Sequence, residues 1–359
     1  MAGTEVQQPV QDEVTILAQS RRTVFVTKAR KLYFNSLWTL LVLLGLMAIF
    51  TIREGSKFFD PVNFRNIALD VSQLMLLAVG MTFVIITAGI DLSVSSVLVF
   101  SAIVGAKVMS NLSGSYEEVR RYEFPHENVG IPIGLAVAVV CGLGWGLING
   151  LIITKMKLPP FLVTLGTLSA SLGFARIISK GASVTYVPIN VQTWIGAKRV
   201  FDFLPILVIV TAVVVVWAFV LLTFTRFGRY TFAIGSNAAA ARRAGIDVDR
   251  HLIKVYALSG TLAGLAGAMD IARFINPGVA THSTDNLRAV SAVVIGGTSL
   301  FGGLGSIIGT VIGTFIPAVL SNGLVIGGIQ PFWQDVLIGV ILIIAVYIDQ
   351  RRRRTDERM

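Results

Sequence analysis

The sequence predicts an all-α, polytopic integral membrane protein of about ten transmembrane helices, and three observations carry that prediction. Apolar stretches approaching the roughly 20 residues needed to cross about 30 Å of hydrocarbon recur along the chain. The composition is 54% hydrophobic and 14% charged with a mean hydropathy of +0.76, whereas soluble domains carry roughly 25% charged residues. Basic residues gather beside the ends of the apolar runs, the pattern that orients a membrane protein, so the net charge of +10 is not read as a nucleic-acid surface.

Residues 1–35 are read as a cytoplasmic N-terminal segment, with Lys28 to Tyr33 lying on the membrane surface. The first apolar run has no A-x-A-like site after it and reads as an uncleaved span. Spans are expected at Leu37 to Ile52, Ile67 to Gly89, Ser93 to Asn111, Ile131 to Ile153 and Phe161 to Ile178. Five more follow at Phe203 to Phe224, Leu252 to Ala272, Leu287 to Gly297, Gly303 to Leu320 and Phe332 to Tyr347, of which Leu287 to Gly297 is short enough for a half-helix. The transmembrane domain is thus 36–348, followed by a basic cytoplasmic tail at 349–359. With the N-terminus inside, the inner loops and tail hold 18 Lys and Arg against 9 Asp and Glu, and the rest of the chain holds 12 against 11. Both termini are therefore expected in the cytoplasm.

That orientation puts residues 225–254 inside, and the polar island Gly235 to Lys254 (GSNAAAARRAGIDVDRHLIK) is the stretch the chain is organised around. Ser236 or Asn237 is suited to cap a short helix, the alanines to form it, and Gly245 to end it in the left-handed conformation. Arg242 and Arg243 fall in its last turn, where cations complement the helix dipole. Two turns are unstable alone in water, so the island reads either as a solvated loop or as a helix that lies on a surface. Gly235, Ser236, Asn237, Ala240, Ala241, Arg242, Arg243 and Gly245 are its candidate contact residues.

Polar groups within or at the ends of the apolar runs are costly unless paired or wet, and supply the other candidates. In GIDLS, Asp91 is placed to cap the following helix, with Ser93 and Ser96 in its first turn; the alternative is a broken helix lining a translocation path. VIITAGIDLSVSSV (84–97) overlays AVVIGGTSLFGGLG (292–305) at an offset of 208, so Thr298 and Ser299 lie in a counterpart turn. Asn149 and Asn322 join the candidate path, and Asp270 with Arg273, at i and i+3, reads as a structural ion pair. The outer loop Ser113 to Asn128 reads as a solvated face or a platform for an external partner. Cys141 lies inside an apolar run, and the three histidines show no metal-binding spacing, so no metal is expected. There is no GxxxxGK[ST] loop and no catalytic constellation.

Five stretches in order, GMTFVIITAGIDLSVSS (80–96), NGLIITKMKLPPFLVTLGTL (149–168), GSNAAAARRAGIDV (235–248), AVVIGGTSLFGGLGSIIGT (292–310) and SNGLVIGGIQPFWQDVLIGVILIIAVYID (321–349), resemble the permease subunits of bacterial ABC importers of the ribose, xylose and galactose branch. The resemblance implies a bacterial inner-membrane permease, two copies of which form a pathway for a monosaccharide. An extracytoplasmic sugar-binding protein delivers the sugar, and an ABC ATPase subunit, which binds the ATP and Mg, supplies the energy; this chain itself holds no cofactor. Many such permeases mark their ATPase-docking helix E-A-A-x-x-x-G. Here Ala240, Ala241 and Gly245 fit, while Ala239 stands at the glutamate. Asn286, Leu287 and Arg288 likewise stand where the family carries Glu-Leu-Asp. An ion-coupled secondary sugar transporter is the alternative, with Asp70 and Asp91 as its only plausible ion-binding seeds.

Overall fold

A computed structural model describes residues 37–201 and 203–330, together with isolated positions between 333 and 351. The described chain is a bundle of helices: α1 (Leu37–Lys57), α2 (Pro61–Ile86), α3 (Val94–Ser113), α4 (Tyr116–Arg120), α5 (Glu127–Lys155), α6 (Pro160–Ser179), α7 (Ile206–Phe224), α8 (Arg226–Ser236), α9 (Ala238–Arg243), α10 (Val248–Phe274), α11 (Asp285–Ile295) and α12 (Ile307–Ile326). Among the described residues, strand pairing is confined to one hairpin in the α6–α7 connection, β1 (Arg199–Val200) with β2 (Leu204–Pro205). Eight helices, α1–α3, α5–α7, α10 and α12, are long and apolar enough to cross a membrane. The expected short span at 287–297 is α11, whose 11 residues reach only about 16 Å. The expected span at 332–347 is described only at isolated positions, and the N-terminal segment and most of the tail lie outside the described residues.

Local chemistry sets the boundaries. Asp60 accepts a hydrogen bond from Val62 N (2.6 Å) and Pro61 opens α2, a pairing of cap and pre-set φ that starts a helix. In the connection between α3 and α5, Ser115 and Glu118 form a capping box around the single turn of α4. α2, α3 and α10 are the buried helices, whereas α1, α5, α6 and α7 turn many large apolar side chains outward. An apolar exterior of this kind faces hydrocarbon or partner helices.

Among the described residues α5 and α10 share the most extensive helix contact, and glycines on both let it form. Gly142, Gly146 and Gly150 of α5 meet Gly260, Gly264 and neighbouring backbone of α10. With no Cβ on either side, the two backbones touch, which is how membrane helices gain packing without a hydrophobic driving force.

Candidate functional site

The island forms the predicted short helix, α9. Asn237 is its cap, its side chain accepting from Ala240 N at 2.9 Å. Gly245, at φ +83°, closes it: Gly245 N donates to Arg242 O (3.0 Å) and Ile246 N to Ala241 O (3.1 Å), the paired bonds of a Schellman ending. Asp247 then caps α10 through Arg250 N at 3.0 Å, so α9 runs into α10 across a single turn. Ala241 is buried against Ile234 and Val248, with Ile246 and Leu252 beside them. Ser236, Ala238, Ala239, Ala240 and Arg243 are exposed, and Arg242 is paired with Asp249 at 2.6 Å.

α8 fastens this helix to the bundle. Thr231 Oγ1 and His251 Nε2 lie 2.9 Å apart, joining α8 to α10, and the ring of Phe227 packs at a tilt against Phe83 of α2, centroids 5.9 Å apart. At its end, Gly235 lies so close to the carbonyl of Ile86 and the backbone of Gly303 that a Cβ would collide with both. Gly303 N in turn donates to Ile86 O at 2.9 Å. The end of α2, the end of α8 and the second glycine-rich turn thus form one backbone-to-backbone junction, which brings the two sequence-similar turns into contact.

Four of the candidate path residues meet in a buried polar network. Asp91 accepts from Ser93 N (3.0 Å), Ser93 Oγ (2.6 Å) and Ser259 Oγ (2.9 Å). Asn149 donates to Ser93 Oγ at 2.9 Å and accepts from Thr167 Oγ1 at 2.7 Å. Ser96 Oγ donates to Ser93 O and accepts from Ser171, both at 2.8 Å. Asp91 therefore braces the turn before α3, with Ser93 as the residue at the helix start, and ties that turn to α10, while Asn149 ties it to α5 and α6. Thr298 and Ser299 are buried in the other turn, where Ser299 N donates to Leu304 O at 3.1 Å. Asn322 stands apart, exchanging hydrogen bonds of 3.0 and 2.8 Å with Asn63. The sequence does not single out Ser259, Thr167 or Ser171, since a lone hydroxyl in an apolar run does not reveal which neighbour it faces.

Removing the carboxylate leaves the Ser93 and Ser259 donors buried without their acceptor, each worth roughly 1–3 kcal/mol. Asp91→Ala is expected to lower thermal stability in detergent by about that much per lost partner. A variant as stable as wild type would show that the network is not what holds the turn.

Asp270 and Arg273 do not pair with each other. Arg273 pairs with Asp70 and donates to Leu69 O at 3.1 Å. Asp270 instead accepts from His282 Nε2 at 2.8 Å, and His282 Nδ1 meets Asp285, the first residue of α11, at 2.6 Å. Burial opposes charge on this imidazole, but the hydrogen bonds and negative charges of Asp270 and Asp285 outweigh it and raise its pKa to about 10. His282 thus remains an imidazolium that pins α11 to α10.

Residues 63–346 match the family described as branched-chain amino acid transport system / permease component. The chain is 36% identical over 328 residues to the fructose import permease protein of Rhizobium meliloti, covering 88% of this chain and 85% of that one. It is 36% identical over 336 residues to the ribose import permease protein of Bacillus subtilis (91% and 97% covered), and 32% identical over 342 residues to a probable ABC transporter permease protein of Sinorhizobium fredii (94% and 96%). No solved structure matches the chain. With nearly its whole length so matched and its apolar helices built around interlocked turns, the chain belongs to this family of membrane permease components.

Proposed function

We propose that the chain is the membrane-spanning subunit of an ATP-driven ABC importer for a monosaccharide or related polyol, working in the bacterial inner membrane with both termini cytoplasmic. Two copies form the pathway, an extracytoplasmic binding protein delivers the sugar, and an ATPase subunit carrying ATP and Mg docks on α9; this chain has no ATPase site of its own. The fructose and ribose import permeases it resembles support the substrate class. The observation that carries the mechanism is the placement of α9. It presents exposed alanines outward, continues directly into α10, and adjoins through α8 the junction of Ile86, Gly235 and Gly303. A displacement of α9 would thus reach both buried turns. The ion-coupled alternative is less favoured, because a relative over nearly the whole chain is a probable ABC transporter permease and Asp70, one of its two seeds, is paired with Arg273.

Proteoliposomes holding the permease and ATPase should take up sugar only with internal-facing ATP and added binding protein; uptake on an ion gradient alone would sink the reading. Ala240 is exposed on α9, so Ala240→Trp obstructs docking without disturbing a core. It is expected to reduce ATP-dependent uptake at least about tenfold, the effect of roughly 1.4 kcal/mol, with an unchanged melting temperature.

A further inference from the structure

We infer that the ATPase surface receiving α9 is acidic, and that Arg243 carries the docking charge, the reverse of the polarity in permeases that mark this helix with a glutamate. The inference rests on the reading above that α9 meets an ATPase. Along α9 there is no carboxylate: its six residues are AAAARR. Ala239 and Arg243 are i and i+4, so they share one exposed face, a ridge of small side chains that ends in a cation. The nearest acids are occupied, Asp249 by Arg242 at 2.6 Å and Asp247 by Arg250 at 3.1 Å. Arg243 makes no ion pair among the described residues, and it sits at the carbonyl end of the helix, where a cation is locally favoured.

A basic cleft suited to a glutamate would oppose this face with like charge, which disfavours a close contact. A carboxylate-lined cleft would complement it, and guanidinium offers the bidentate geometry for such a contact.

The test compares affinities of the full-length permease for the ATPase subunit co-expressed with it, across a salt titration. Arg243→Glu is expected to weaken binding at least tenfold at low salt, with Arg243→Lys much closer to wild type. Ala239→Glu, which restores the usual residue, is expected to weaken binding several-fold. An acid in the first turn favours helix formation, so this variant keeps α9 intact, which an unchanged melting temperature checks. Tighter binding by Ala239→Glu, or unchanged binding by Arg243→Glu, overturns the acidic cleft while leaving the transporter reading in place. The acidic cleft is equally overturned if Arg243→Glu loses affinity only for phosphatidylglycerol vesicles, because the charge then belongs to lipid. Failure of the wild-type chain to bind the ATPase at all would instead count against the transporter reading.

Discussion

Replacing Gly142 by valine is expected to separate α5 from α10 and lower the stability of the folded permease by about 3 kcal/mol or more, near the upper end for overpacking a tight interior. A Cβ at Gly142 would run into the carbonyl of Gly260 and the backbone of Gly264. Backbone lies on both sides, so no side chain can rotate out of the way. Gly144, two residues along the same helix, has nothing within 4 Å of a built Cβ. Gly144→Val therefore serves as the matched control and is expected to unfold like wild type. Thermal unfolding in one detergent settles the comparison, and equal melting temperatures for the two variants would refute close glycine packing as the source of the α5–α10 contact.

The second large effect is expected at His282. Its side chain bridges Asp270 and Asp285, so His282→Ala leaves two carboxylates facing each other in a largely buried site. Losing one partner of a buried charge cluster typically costs about 3–5 kcal/mol. The pH dependence has a defined sign. The folded pKa of about 10 lies above the ordinary 6.5, so the folded state holds the proton more tightly than the unfolded chain. The imidazolium's stabilisation is complete below pH 6.5 and is lost as pH rises to about 10. Wild-type stability should fall across that window, and the His282→Ala variant should lose most of that slope. A wild-type profile no steeper than the variant's would rule out the charged bridge.

The legible parts of this protein are those whose physics is local. Asn237, the alanine run and Gly245 place α9 because capping, propensity and a left-handed ending act within a few residues. Length and apolarity likewise place the eight long helices, and single out the stretch that becomes α11 as the short one among the expected spans. Spacing along a helix is a poor guide to partners. Asp270 and Arg273 have the geometry of an i, i+3 pair, yet each finds a partner from another part of the chain, His282 and Asp70. The same limit hides Ser259, which reaches Asp91 across 168 positions. Helical periodicity says which residues share a face, but not what that face meets. The two stretches of the short internal likeness also lie in contact, since Gly303 N donates to Ile86 O.

The directness of the α9–α10 connection has a mechanical consequence. α10 has 27 residues and is therefore about 40 Å long. It lies along α5 in glycine contact and begins at the capped turn of Ala244 to Asp247, so its two ends are one continuous element. A tilt of about 5° at that end carries the far end through roughly 3.5 Å over such a length, comparable to the width of a carbon chain. The far end holds Asp270 and, through His282, the start of α11. The same angular change is thus largest where the His282 bridge ties α10 to α11, so those two helices share whatever displacement that end undergoes.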